Sequence, residues 1–220
     1  MKIKNSELVV VFVLAPHFMN GFYDFYLSEF SLPIYSVLRL ITSAMIPLIG
    51  IIILSKRCTY KTADFGLVVA NKFINVWGVL LATLPLFLFW RFFPIFYYRR
   101  IDMWFINLVP VNYFKMPYPK SIAEFSLFLH LLLVLTAGFF EEVYYRSILY
   151  KIFKERKMNV VSIILISSLI FTAAHWEAGI HWLPLVFIAA IVLSWFYAKY
   201  RTAWPLIIAH ILVDLFSIIQ

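Results

Sequence analysis

The sequence predicts an all-α integral membrane protein, a polytopic bundle of about seven transmembrane helices. Of its 220 residues, 64% are hydrophobic and only 14% are charged, and the mean hydropathy is +0.90. Soluble domains carry about 45–50% apolar and about 25% charged residues. A soluble fold could not bury this much apolar surface, so the lipid bilayer must be the main solvent of the chain.

The first half of the chain contains three candidate spans and an irregular stretch. The first span, 7–27, is the weakest, since Pro16 interrupts it, and the next two cover 34–54 and 73–93. The stretch 94–120 contains four prolines and many aromatic residues, which suits the membrane interface.

The second half holds four spans, predicted at 124–150, 159–176, 182–198 and 203–219. The length suits one structural domain with two parts. These are the N-terminal spans with the interfacial loop, residues 1–120, and a helical core with the ionisable residues, residues 121–220.

The positive charges orient this bundle. With the N-terminus inside, the inner segments hold twelve Lys and Arg residues and the outer segments hold five, as the positive-inside rule requires. The predicted location is therefore the cytoplasmic membrane, of a prokaryote, with the N-terminus inside. The net charge of +8 reflects this topology, so we expect no nucleic-acid partner. The inner residues are Lys2, Lys4, Lys56, Arg57, Lys61, Lys72, Lys151, Lys154, Arg156, Lys157, Lys199 and Arg201, and the outer ones are Arg91, Arg99, Arg100, Lys115 and Lys120.

The fourth span contains two adjacent carboxylates and an arginine. A charge inside a span costs about 2.5 to 3.5 kcal/mol, so each one needs a reason. Glu142 and Arg146 are four residues apart, share a helix face and can pair. Glu141 points about 100° away and is left without a local partner. It could be a second ligand of Arg146, a polar contact between helices, or a functional carboxylate.

Two further spans carry histidines. His175 ends the fifth span, and His210 with Asp214 forms an i,i+4 pair on the seventh, where Asp214 could fix the tautomer of the ring. Each could be a simple packing contact. Counted at 1.5 Å per residue, Glu141 lies about 15 Å from Lys151 and His210 about 13 Å from Arg201, but His175 lies about 24 Å from Asn159. Tilt, or a fifth span that starts deeper, would close this gap.

Together, a free glutamate and two histidines on three helices are the parts of a site that activates water for hydrolysis. Such a site needs a base for the water and donors for the developing oxyanion. We therefore predict a polar site between spans four, five and seven.

Three motifs in this half resemble a known family. They are Glu-Glu-x-x-x-Arg at 141–146, Phe-x-x-x-His at 171–175 and His-x-x-x-Asp at 210–214, in that order on successive spans. The set resembles the CAAX-protease and bacteriocin-processing family of intramembrane endopeptidases, as does the approach Tyr-Arg-Thr-Ala-Trp-Pro at 200–205. The resemblance covers about residues 120–220.

The resemblance implies a role for each motif residue. Glu141 would be the base, His175 would hold and polarise the water, and His210 with the residue at 214 would stabilise the oxyanion. Glu142 and Arg146 would be a supporting pair. The chain departs from the commoner family pattern at Asp214, where Asn is usual. An ionised Asp214 cannot donate a hydrogen bond, so it must be protonated or must act by orienting His210.

The predicted activity is intramembrane hydrolysis of a peptide bond in a membrane-anchored protein or peptide, without a cofactor. A zinc-dependent version would use the same two histidines and glutamate, although the usual HExxH helix is missing. A non-catalytic immunity or partner-binding protein of the membrane is a further alternative, since fold and motif do not prove turnover. A transporter is the third, although the sequence lacks the repeats that would support it.

Overall fold

The computed structural model describes residues 5–19, 32–68, 77–80, 127–176 and 183–219. Within these ranges the chain is helical, with short turns and no β-strand. The all-α prediction is confirmed for this part of the chain. The predicted third span, 73–93, lies mostly outside the described residues, and the aromatic-rich stretch 94–120 lies wholly outside them.

Eight α-helices and three other helical segments have bounds within the described ranges, and residues 77–80 are also helical. The α-helices are α1 (Asn5–Phe18), α2 (Leu32–Leu40), α3 (Ile46–Arg57), α4 (Leu127–Glu141), α5 (Leu149–Glu155), α6 (Val160–Ala174), α7 (Leu183–Tyr200) and α8 (Trp204–Ile219). A π-helical segment, Ile41–Met45, joins α2 to α3, and another, Glu142–Ile148, joins α4 to α5. A 3₁₀ turn, Thr62–Phe65, follows α3.

Two of these helices are long and apolar enough to cross a bilayer. One is the continuous helix Val37–Arg57, which runs from α2 through the π segment into α3 and has a mean hydropathy of 2.3. The other is α7, Leu183–Tyr200, with a mean hydropathy of 1.7. α1, α6 and α8 are shorter apolar helices. Large apolar side chains are exposed on their outer faces, for example Val11 at 64% and Val161 at 66%. Such a surface is consistent with a membrane protein, because it would be unfavourable in water.

The helices pack closely where small residues allow it. α6 packs along α7, and α8 packs along α4. At Gly138 of α4, an added Cβ would lie 2.6 Å from Ile211 Cγ1 and 3.2 Å from the Ile211 backbone nitrogen. A side chain at this position would therefore push α8 away from α4, and with it His210, which precedes Ile211 on α8.

The π segment Glu142–Ile148 lies at the centre of the packed bundle, and all seven of its side chains are buried. Tyr144, in this segment, donates a 2.8 Å hydrogen bond to the carbonyl of Pro47 in α3. π segments within α-helices often lie at functional sites, because the extra residue per turn redirects the side chains that follow.

Ion pairs tie the ends of α1 and α5 to the rest of the bundle. Arg156, just after α5, binds Glu7 of α1 through two 2.6 Å hydrogen bonds. Lys151 lies 3.0 Å from Asp64 and 3.3 Å from Glu155. Partial burial opposes ionisation of Asp64, but the Lys61 backbone N–H and the Lys151 ammonium outweigh it, so the pKa of Asp64 lies below its usual value.

The boundaries correct two expectations. Pro16 does not interrupt the first helix, because α1 continues through it and ends at Phe18, two residues later. The fourth predicted span does not end at residue 150, because the helix continues through the π segment and α5 to Glu155. Of the predicted first span, residues 20–27 lie outside the described part.

Candidate functional site

Glu142 is the central acceptor of the site. Its side chain is fully buried, and Oε2 accepts a hydrogen bond of 3.1 Å from Arg146 Nε, as the i,i+4 spacing predicted. Its other oxygen, Oε1, lies 2.9 Å from His210 Nδ1 on α8. A carboxylate accepts only, so when it is ionised the proton of this bond is on Nδ1. Glu142 therefore joins the arginine to a histidine on another helix.

Glu141 faces the two histidines. Its Oε2 lies 3.7 Å from His175 Nε2 and 3.8 Å from His210 Nε2. The Glu141 side chain is buried, and this oxygen makes no hydrogen bond to any described residue. Both separations are too long for a direct hydrogen bond. The carboxylate oxygen thus has two imidazole nitrogens beside it and none bound to it.

Arg146 does not take Glu141 as a second ligand. Its two terminal nitrogens have no hydrogen-bond partner among the described residues, and its guanidinium lies 4.3 Å from the centre of the Phe171 ring. The arrangement is a cation–π contact. The alternative in which Glu141 is a second hydrogen-bonded ligand of Arg146 is therefore not found in the structure.

His175 is oriented by the end of α6. Its Nδ1 lies 2.8 Å from the carbonyl oxygen of Phe171, one turn earlier, and the two rings lie 4.3 Å apart. A carbonyl oxygen accepts only, so Nδ1 carries the proton and donates it. In the neutral ring this leaves Nε2 as an acceptor, and Nε2 is the atom that faces Glu141.

Asp214 lies one turn beyond His210 on α8, as predicted, but it contacts the other ring nitrogen. Its Oδ2 lies 3.6 Å from His210 Nε2. Because Glu142 occupies Nδ1 at 2.9 Å, the tautomer of His210 is set by Glu142 and not by Asp214. The expectation that Asp214 fixes the tautomer is corrected by this contact.

In the structure Glu141 and His175 lie at the same level, so the gap in depth is closed. The estimate took Lys151 as the inner end of its helix, but the helix continues to Glu155. Counted from the turn between α5 and α6, Glu141 is fourteen residues from Glu155, and His175 is fifteen residues from Val160. At 1.5 Å per residue these distances are about 21 and 22 Å, so the two side chains reach the same level.

Sequence reasoning missed the contribution of α1. His17 is buried, and its Nδ1 lies 3.3 Å from the hydroxyl of Tyr145 in the π segment. Trp176 Nε1 donates a 2.8 Å hydrogen bond to the carbonyl of Phe18. One signal was available, since a histidine within an apolar helix is unusual. The link between Glu142 and His210 was missed because i,i+4 spacing reports only contacts within one helix.

A metal site would need three converging ligands. Among the described residues, no group of three His, Cys, Asp or Glu side chains has the arrangement of a metal site. Tetrahedral ligands of zinc lie about 3.4 Å from one another, given bonds of about 2.0–2.1 Å. The pairs between Glu141 and the two histidines are wider than this, at 3.7 and 3.8 Å. These side chains would have to move together to hold an ion.

Comparison with known proteins gives a family match for the part of the chain that carries the motifs. No curated protein and no solved structure matches the chain significantly. Residues 123–216 match the family model described as "Type II CAAX prenyl endopeptidase Rce1-like". This range contains all three motifs, so the match confirms the resemblance that they indicated. The motif-bearing part of the chain, residues 123–216, is therefore similar to the Rce1-like family of type II CAAX prenyl endopeptidases.

Proposed function

We propose that this protein is an intramembrane endopeptidase that hydrolyses a peptide bond in a membrane-associated protein or peptide, with Glu141 as the general base. The proposal rests on the similarity of residues 123–216 to a protease family. The observation that carries it is the convergence of two imidazole nitrogens on Glu141 Oε2, at 3.7 and 3.8 Å.

The first step is activation of water. Separations of this size are spanned when one water molecule lies between the two polar groups. The water gives one proton to Glu141 Oε2 as its oxygen attacks the peptide carbonyl carbon. Its second proton points at His175 Nε2, which is an acceptor because Nδ1 donates to the Phe171 carbonyl. His175 thereby holds the water in line with the carbonyl, which is the usual gain from orienting a reactant.

The second element is stabilisation of the oxyanion by His210 and Asp214. When both of its ring nitrogens are protonated, His210 donates Nδ1–H to Glu142 and can donate Nε2–H to the oxyanion. Asp214 is 3.6 Å from the same nitrogen and, when protonated, can act as a second donor. The Asp214 side chain is 35% exposed, so it is open to an incoming group.

Collapse of the tetrahedral intermediate completes the reaction. The bond between the former carbonyl carbon and the amide nitrogen breaks, and Glu141 returns its proton to the leaving nitrogen. Glu141 thus acts as base and then as acid, as in other two-step hydrolyses. The products are a carboxylic acid and an amine.

The site belongs inside the bilayer in this proposal. Seven spans with the N-terminus inside would put Glu141, His175 and His210 within the hydrocarbon region, on spans four, five and seven. Membrane-anchored substrates could then reach them laterally. The apolar outer faces of α1, α6 and α8 support this arrangement.

The proposed mechanism uses no metal. The transferred protons and the developing oxyanion each have a side chain of this chain assigned to them. If zinc were bound, Glu141, His175 and His210 would hold it, and the ion would activate the water. The two accounts are separated by chelation of the purified protein.

The experiment that tests the function compares membrane peptides by mass spectrometry. Cells that produce wild-type protein are compared with cells that produce Glu141→Gln, and Glu155→Gln serves as the matched control. Glu155 lies on the same continuous helix, but its side chain is 35% exposed and pairs with Lys151. We expect one or more peptides to appear with the wild type and the control but not with Glu141→Gln. Identical peptide sets in all three strains, at equal protein levels, would contradict proteolysis and favour a non-catalytic membrane protein.

A further inference from the structure

α1 brings a histidine to the site from outside the family-matched residues. His17 is 7% exposed, and Tyr145, which it contacts through Nδ1, is fully buried. His17 is also close enough to Glu141 and His175 to interact with both electrostatically. An ionisable side chain buried in an apolar helix is costly, and in membrane proteins it usually marks a functional position.

The end of α1 is held from two sides, next to two of the site residues. Tyr145 directly precedes Arg146, and its hydroxyl is joined to His17 by a hydrogen bond of 3.3 Å. Trp176 directly follows His175, and it donates to the Phe18 carbonyl at 2.8 Å. The C-terminal turn of α1 therefore lies between the helix that carries Glu141 and the helix that carries His175.

A continuous series of ring contacts leads from His17 to His175. The Tyr145 and Phe171 rings form a T-shaped contact, with the centroids 5.1 Å apart and the planes at 89°. Phe171 in turn lies 4.3 Å from the His175 ring, and its carbonyl accepts the His175 Nδ1 proton. A shift of Tyr145 would therefore move the support on which the orientation of His175 depends.

Resting on the proposed function, we propose that His17 is a positioning residue for the hydrolytic reaction. It fixes the Tyr145 hydroxyl, and the Tyr145 ring holds Phe171 where it orients His175 Nε2 towards Glu141. His17 acts on turnover rather than on substrate binding. None of these contacts involves the exposed side of Asp214, which is where an incoming substrate would reach the site. A purely structural role for His17 would stabilise α1 without changing turnover in the folded protein.

The test is a double-mutant cycle on purified protein, with a peptide that carries a cleavage site found in the membrane comparison. The variants are His17→Phe, Tyr145→Phe and the double variant. We expect each single variant to lower kcat about tenfold with KM unchanged, as for loss of one buried hydrogen bond. The double variant should be no slower than either single one, because both remove the same bond.

Two further variants separate positioning from packing. His17→Asn places an amide where Nδ1 stood, so it should restore kcat to within about threefold of the wild type. Ser6→Ala removes another buried polar group of α1, at the other end of the helix, and should leave kcat unchanged.

Several results would overturn the proposal. These are an unchanged kcat in folded His17→Phe or Tyr145→Phe, losses that multiply in the double variant, or an Asn variant as slow as the Phe variant. If His17→Phe does not fold, the Asn and Tyr145→Phe variants decide. Failure of the proposed function itself would be seen separately, as wild-type cleavage that does not depend on Glu141.

Discussion

Glu142 contacts both Arg146 and His210, and the contributions of the two contacts can be separated by substitution. Its side chain and that of Arg146 are both 0% exposed. Removal of one partner of a buried ion pair costs about 3–5 kcal/mol, because the other charge is left buried and unpaired. Glu142→Gln should therefore unfold at a much lower temperature or detergent concentration than the wild type.

A matched control comes from the same continuous helix. Lys151 and Glu155 are also an i,i+4 pair, but their side chains are 29% and 35% exposed. An exposed pair contributes at most about 1 kcal/mol. Glu155→Gln should therefore be nearly as stable as the wild type in the same melt. Equal destabilisation by the two substitutions would refute the inference that burial sets the cost.

Two double variants then isolate the bond to His210. Glu142→Gln with Arg146→Met removes the unpaired charge and keeps an amide oxygen that can accept from His210 Nδ1. Glu142→Leu with Arg146→Met removes the charge and the acceptor. Because neither leaves a buried ion alone, we expect both to melt close to the wild type.

The two double variants should differ in turnover. Without an acceptor at Nδ1, the His210 ring loses the hydrogen bond that orients its Nε2–H towards the oxyanion, and a misplacement of about 1 Å can cost about 10² in rate. We expect the Leu form to be at least about tenfold slower than the Gln form, measured as kcat on one peptide. Equal kcat values in two folded variants would show that the bond from Glu142 to His210 has no part in the reaction.

Three other predictions follow from the site and the topology. Asp214→Asn should keep or raise turnover, because the amide donates without a proton and Glu142 already fixes His210; a thousandfold loss in folded protein would contradict a donor role. Turnover of purified protein should survive strong chelation, whereas loss with chelator and recovery with zinc would favour the metal mechanism. In a Cys58→Ser background, cysteines near Lys154 should resist an impermeant thiol reagent in intact cells, and cysteines near Pro110 should react; the reverse pattern would invert the topology.

The helical class and the three motifs were accessible from the sequence because they depend on local information. The composition predicted that the lipid bilayer is the main solvent of the chain. The i,i+4 spacing predicted the pairing of Glu142 with Arg146. The match to a family model over 123–216 confirms the family that the motifs indicated.

The missing parts of the site depend on contacts between distant segments. Glu142 and His210 are 68 residues apart, and His17 and Tyr145 are 128 apart, so no spacing rule links them. The gap in depth at His175 arose because the sequence does not show that the helix of Glu141 continues past Lys151. The π segment that follows Glu141 was likewise not predictable from periodicity, since residues 127–140 are apolar at nearly every position and a shift in helical phase leaves no trace in such a sequence.

The central claim is that Glu141 activates the water that cleaves the peptide. Its most direct test is the kcat of purified wild-type protein and of Glu141→Gln on one identified peptide, with folding checked by thermal melt. The amide keeps the shape of the carboxylate but cannot accept the proton of the water. We predict that kcat falls by about 10² to 10⁴ with little change in the melt, the usual contribution of a general base. A folded Glu141→Gln protein with wild-type kcat would contradict the account.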